Sequence, residues 1–328
     1  MASRKGRTKI WQCWIPILLM GGVLSVPAPE ARAVDFPKKP ITLICLYGPG
    51  SGADIMIRPV AELLSKRLGQ KVIVMNKPGG AGTLGVTELS KASPDGYTIG
   101  MLNFSPMAIT PHLLKVGFKL DDFEYFGAFG EWVNGLYCSG KRPWKDVKDV
   151  IAYARANPGK LRHGWSSHNN ALPMIFIAEK ENLDVRFIPT SGGGESESFL
   201  LGGHTDTDCR QAMVLKSFTD EQIRFLHPCT NPRWDIWGRP DRPTLPEMGY
   251  NYDIRSYIGL GGPKGLPAEI KQALIDSVRK VCNDQEIKDM VFKAGLLPVW
   301  IEGPEFKKII QEGYNRVGPA VKKLEKKK

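Results

Sequence analysis

Gly48, Gly50, Ser51, Gly52 and Ala53 crowd one short turn, and that spacing can do chemistry without any catalytic side chain. An apolar run, residues 41–46, leads into the turn, and an amphipathic stretch leaves it, ending at Leu68-Gly69. Such a turn aims unpaired backbone N–H groups at a point where the helix dipole favours negative charge. Glycine permits φ > 0 and close approach of the backbone, and Ser51 adds a hydroxyl donor. The expectation is an anion cradle built by Gly50, Ser51, Gly52 and Ala53; a tight turn that holds no ligand is the alternative. Gly48, Gly50 and Ala53 also satisfy G-x-G-x-x-A, the phosphate turn of dinucleotide folds. That motif needs an acidic residue at the end of the second strand, whereas the run 71–75 ends in Asn76. Asp54 would repel an anion and reads as a turn organiser or helix cap. Pro59 should start the helix late or bend it.

The elements that must position this turn alternate along the chain. Strand-like runs fall at 41–46, 71–75, 97–102, 186–189, 205–209 and 221–227. Helix-like stretches fall at 83–91, 146–156, 195–201, 268–283 and 304–323. This alternation predicts an α/β architecture with a mainly parallel sheet. Ligands of open α/β sheets bind at the carboxyl ends of strands, which brings in Asn103, Phe104 and Ser105 behind 97–102; an ordinary polar turn is the rival reading. Two passages, near 129–137 and 250–260, divide the chain into a discontinuous first lobe, 34–133 plus 255–328, and a second lobe, 134–254.

The first 33 residues read as a cleavable export signal. Arg4, Lys5, Arg7 and Lys9 precede an apolar run at 15–26, and Ala31-Arg32-Ala33 matches the small-x-small cleavage rule. Pro16, Gly21 and Gly22 interrupt that run, which is short for a membrane span. Cys13 lies ahead of it, so no lipid attachment is expected there. Of the net charge of +11, much of what remains beyond the first 33 residues sits at the C-terminus, where five lysines fall within 322–328. That tail reads as a solvated end, not a nucleic-acid patch, and a mildly cationic body suits anionic solutes. Of the six cysteines, Cys45, Cys138, Cys209, Cys229 and Cys282 follow the signal. Their wide spacing matches no zinc or redox motif. Cys209 and Cys229 are the pair to test for a disulfide, in or near segments that could be neighbouring strands; buried free thiols are expected for most of the five. His112, His163, His204 and His227 lack metal spacing and read as surface or packing residues. Trp234 and Trp237 read as lobe packing, since no basic stripe accompanies them.

A series of segments in a fixed order resembles the Bug-type (TctC-like) solute receptors of tripartite tricarboxylate transporters. It runs through Phe36-Pro37-Lys38-Lys39-Pro40-Ile41-Thr42-Leu43-Ile44, Pro49-Gly50-Ser51-Gly52-Ala53-Asp54 and Asn76-Lys77-Pro78-Gly79-Gly80-Ala81-Gly82-Thr83-Leu84-Gly85. It continues through Ser93-Pro94-Asp95-Gly96-Tyr97-Thr98, Ala156-Asn157-Pro158-Gly159-Lys160-Leu161, Leu200-Leu201-Gly202-Gly203-His204-Thr205-Asp206 and Ser256-Tyr257-Ile258-Gly259-Leu260. The resemblance implies a two-lobed periplasmic-binding-protein (Venus flytrap) fold. It also implies a small mono- or dicarboxylate held largely by backbone amides from both lobes, then passed to membrane permease subunits. No cofactor, metal, catalytic residue or nucleic-acid partner is implied, and a monomer is expected.

Three departures bear on the site. Where relatives carry a Gly/Ser-rich loop, this chain has Trp165-Ser166-Ser167-His168-Asn169-Asn170. Ser166, Ser167 and His168 are candidates for the pocket, and Trp165 and His168 would narrow it or stack on a flat solute; core packing for Trp165 and solvent for His168 is the alternative. Gly164-Trp165-Ser166-Ser167-His168 falls one glycine short of a hydrolase elbow. Thr190, Ser191, Gly192 and Gly193 resemble the second-lobe amide loop, although relatives have an aromatic and a basic residue at 190 and 191. Glu195 and Glu197 then suit the first helical turn. Arg210 could grip a second carboxylate with paired N–H bonds, with Gln211 beside it, or form an ion pair at the surface. The reading is a periplasmic receptor for an organic anion; an exported α/β hydrolase or a receptor feeding a signalling system are its rivals.

Overall fold

Residues 41–45 are apolar on both faces, the pattern of a strand covered on both sides. In the computed structural model, which describes residues 35–211, 218–230, 242–252 and 254–326, they form β1 (Ile41–Cys45) within a six-stranded sheet. The export signal, Trp234 and Trp237 lie outside the described residues. Ser51 caps the following helix, α1 (Gly52–Leu68), by accepting from the Asp54 N–H, and Gly69 closes it at φ 68°, a left-handed conformation suited to glycine. The helix runs through Pro59 without a late start. The chain continues through β2 (Val72–Asn76), α2 (Thr83–Ser90), β3 (Thr98–Asn103) and β4 (Phe123–Trp132).

A single residue, Val133, then carries the chain into a second sheet. That sheet comprises β5 (Asn134–Ser139), β6 (Leu161–Trp165), β7 (Val185–Pro189), β8 (Thr207–Gln211) and β9 (Ile223–Pro228), with α3 (Val147–Ala156), α4 (His168–Glu181) and α5 (Gly193–Gly202) between them. The chain then re-enters the first sheet with β10 (Ser256–Pro263), α6 (Ala268–Cys282), α7 (Gln285–Lys293), β11 (Leu296–Glu302) and α8 (Gly303–Lys326). Strand orders are β11-β4-β10-β3-β1-β2 and β7-β6-β8-β5-β9.

Each sheet is mixed, a correction to the expectation of mainly parallel sheets. Strands joined by helical crossovers are parallel, namely β1 with β2 and β3, and β6 with β7 and β8. The strands that carry the chain out of one sheet and back, β4, β5 and β10, enter antiparallel, as do β9 and β11. A strand that arrives from the other sheet has no helix behind it to impose the parallel sense. β8 and β9 flank β5 instead of pairing with each other, yet the Cys209 and Cys229 Sγ atoms, both buried thiols, lie 3.4 Å apart.

Candidate functional site

The turn before α1 uses up part of its own donor set. Gly50 adopts φ 76°, a left-handed conformation that favours glycine, and its N–H donates to Asp54 Oδ2 at 2.9 Å. The Ser51 N–H donates to the Gly48 carbonyl at 3.2 Å, and the Asp54 N–H to Ser51 Oγ at 3.2 Å. That leaves Gly52 and Ala53, whose N–H groups meet no acceptor among the described residues. The Gly50 N–H is therefore spent within the turn.

Asp54 is engaged within the turn. Its carboxylate accepts Arg58 Nε and Nη2 at 3.0 and 2.8 Å and Asn76 Nδ2 at 2.8 Å. These partners, Arg58 first, then Asn76 and the Gly50 N–H, hold its pKa down to about 2. Asn76 also donates to the Tyr47 carbonyl at 2.8 Å. The side chain standing where a dinucleotide fold needs an acid is here a strut under the turn.

A second helix start faces the same space. Ser167 caps α4 in extended conformation, and the Asn170 N–H donates to the Ser167 carbonyl at 2.9 Å. Ser166 and Ser167 hydroxyls donate to Asn170 Oδ1 at 3.4 and 2.5 Å, while Asn170 Nδ2 donates to the Cys209 carbonyl at 2.6 Å. Beneath them lies fully buried His163, whose ring nitrogens meet Thr207 Oγ1 at 3.0 Å and the Asn170 carbonyl at 3.2 Å. Burial pulls its pKa down to about 4, so it is neutral at pH 7.

The two helix starts open on one cavity of about 430 Å³. From the first sheet and its helices come Tyr47, Ser51, Gly52, Ala53, Met56, Asn103, Phe104 and Ser105, with Trp132, Ser256 and Ala294. The second sheet side supplies Asn134, Ser167, Asn169, Asn170 and Gln211. Among the described residues the wall has no Asp, Glu, Lys, Arg or His. Burial pushes the pKa of the Tyr47 phenol up, and Asn103 beside it opposes that rise. Asn103 Oδ1 and Asn169 Oδ1 are buried and have no hydrogen-bond partner among the described residues. The arrangement can meet an anion with main-chain dipoles, and the Ser166 and Ser167 hydroxyls turn to a carboxamide oxygen.

Of the residues singled out in the sequence, Ser51, Gly52, Ala53, Asn103, Phe104, Ser105 and Ser167 line this cavity. Gly50, Ser166, His168, Thr190, Ser191, Gly192, Gly193 and Arg210 do not. Trp165 is buried in the core with the His168 ring 4.8 Å away, and its carbonyl accepts from Thr190 N–H and Oγ1. The Ser191 N–H and hydroxyl donate to Glu195, which sits in the first turn of α5, where a negative charge suits the helix dipole. Arg210 donates to the Gly193 carbonyl at 2.7 Å and to Glu197 at 2.5 Å; it takes the ion-pair alternative, held by the acid one helical turn into α5. Tyr47, Met56, Trp132, Asn134, Ser256 and Ala294 went unread. Trp132 and Asn134 flank the passage between the sheets, and that topology was a usable signal for them.

Comparison with known proteins gives one consistent grouping. The family model described as tripartite tricarboxylate transporter family receptor, TctC, matches residues 56–326. A UPF0065 protein of Cupriavidus necator, from the gbd 5′ region, is 30% identical over 312 residues, 92% of each chain. A UPF0065 protein of Bordetella bronchiseptica is 38% identical over 282 residues, 85% of this chain and 84% of its own. Among solved structures, a TctC solute binding protein from Polaromonas has a TM-score of 0.76 at 24% identity, covering 88% of this chain and 99% of its own. A Rhodopseudomonas palustris protein solved with adipate has 0.72 at 22%, covering 88% and 98%. MatC of the same species, with bound malate, has 0.69 at 21%, covering 87% and 100%. Such structural likeness establishes the fold, the two-lobed α/β architecture of solute-binding proteins. Sequence settles the rest: a model spanning most of the chain and a relative similar along nearly all of it make this protein a member of the TctC family of solute-binding receptors.

Proposed function

We propose that the chain is exported to the periplasm and binds a small organic carboxylate in the cavity between its two sheets, then delivers it to a membrane permease. The observation that carries this reading is the meeting of two helix N-termini, α1 and α4, at one cavity whose described wall is free of charge. Gly52, Ala53 and Asn169 would supply main-chain donors, and Ser51, Asn103, Ser105 and Ser167 the polar side chains around them. Phe104, Met56 and Trp132 would cover the carbon skeleton. The lobes 34–133 plus 255–328 and 134–254 would close over the guest and stabilise the form that docks on the permease. Malate and adipate occupy two structures of the same fold, which supports a carboxylate over other anions. The direct test is calorimetric titration of solute-free protein with small mono- and dicarboxylates, against sulfate and uncharged amides. Saturable binding confined to carboxylates is the expected result. A protein that melts cooperatively yet binds no carboxylate overturns the reading.

A further inference from the structure

Far from the cavity wall, the outer edge of the first sheet is open. β2 is hydrogen-bonded to β1 alone among the described strands. The Ile41 N–H donates to the Lys71 carbonyl and the Lys77 N–H to the Cys45 carbonyl, each at 2.8 Å, in parallel register. Main-chain groups alternate between the two sides of a strand. Those of Ile73 and Met75 therefore face β1, and those of Val72, Val74 and Asn76 face outward. Ser65 Oγ accepts the Val72 N–H at 2.8 Å. Among the described residues nothing meets the outward groups of Val74 and Asn76. Apolar surface collects beside them: Ile73 is 51% exposed, Met75 41% and Leu84 58%. Met75 is in register with Ile44, which a Cβ on Gly85 of α2 would meet, so Ile73, Met75 and Leu84 share the α2 side of the sheet. Charge then selects the occupant. No Asp or Glu occurs between 63 and 87, where Lys66, Arg67, Lys71 and Lys77 fall. Glu62 and Glu88, on either side, pair with Lys66 and Lys77, which leaves Arg67 and Lys71 without an acid among the described residues. Two copies of this edge, paired antiparallel about Val74, would set Lys71 of each opposite Lys77 of the other. Like charges directly opposite destabilise such a pair, whereas an acidic strand would be drawn in.

We propose that β2 takes up an extended segment of another protein, flanked by acidic residues, as a further strand of the six-stranded sheet. The outward main-chain groups of Val74 and Asn76 hold it, Ile73, Met75 and Leu84 take its apolar side chains, and Arg67 and Lys71 meet its carboxylates. The proposal goes beyond the carboxylate reading and stands without it. The test is calorimetric titration of the full mature chain with short blocked peptides of alternating valine and threonine, ended on both sides by glutamate or by lysine. The glutamate peptide is expected to bind at least about tenfold tighter than the lysine peptide, and to slow amide exchange at Val74 and Asn76 in NMR spectra. In Lys71→Glu that preference is expected to fall to within about threefold. Val74→Pro removes an outward N–H from an edge strand, where proline is tolerated, and is expected to abolish binding; if it does not fold, Lys71→Glu carries the test. Equal binding of the two peptides, slowed exchange elsewhere, or no binding by folded protein overturns the proposal, as does a folded Val74→Pro that still binds. So does a dimer in sedimentation whose Val74 and Asn76 amides are already slow to exchange, since a second copy then fills the edge.

Discussion

Ser51 serves the fold and the cavity together, because the hydroxyl that caps α1 belongs to a residue on the cavity wall. Ser51→Ala should cost about 1 kcal/mol of stability through the lost cap alone, measurable by urea unfolding. Arg210 supplies the contrasting case. Since its guanidinium is spent on Glu197 and Gly193, Arg210→Ala should change carboxylate affinity by less than about threefold. The same variant should lower the melting temperature, because it strips buried Asp208 of its nearby cation. A loss of binding with unchanged melting would return Arg210 to the site. His163 sets a pH dependence. Its folded pKa, about 4, lies below the ordinary 6.5, so between those values the unfolded chain takes up the proton first. Stability should fall as pH drops from 6.5 to 4. Asp208, pushed up to about 6 by burial, acts in the opposite sense as pH rises from 4 to 6. His163→Gln should therefore remove the acid-side loss and leave the Asp208 slope, as read from melts across that range.

At the scale of elements, α8 sets the shape of the wall from behind. A Cβ at Gly313 would collide with the Phe104 ring, and Phe104 lines the cavity. Gly313→Ala should push the ring into the binding space, costing about 1–3 kcal/mol in stability and weakening carboxylate binding. The turn before α1 was legible in the sequence because every local signal agrees: an apolar run, glycines, a Ser cap three residues before its partner N–H, and Gly69 at the far end. The start of α4 was not. Ser166 to Asn170 has the composition of a loop, and Pro173 argues against a helix, yet α4 runs through Pro173 in its second turn, without the N–H that would pair with the Asn169 carbonyl. β4 and β5 were also missed as strands. Both are buried on two faces and carry Gly127, Gly130 and Gly135, so neither shows the period-2 alternation that marks a half-covered strand. Arg210 could not be placed from sequence at all, since its choice between guest and Glu197 depends on where α5 lands beside β8.

For the whole molecule, the cysteines report on global opening. Cys45, Cys138, Cys209, Cys229 and Cys282 are all buried, and burial pushes the Cys209 thiol up, with Cys229 beside it. Alkylation at pH 8 should leave all five unmodified in folded protein and label them together on unfolding, as counted by mass spectrometry. Labelling of Cys209 or Cys229 alone would reveal a local opening beneath the cavity floor. The passage at Val133 has a consequence of another sort. Trp132 and Asn134, its immediate neighbours, both touch the cavity, so were the two sheets to turn about this link, a guest in the cavity would lie against the axle. Close to an axle, displacement is small and angle is everything. A guest slightly too wide at that point would then be magnified, across the radius of each sheet, into a gap at the rim.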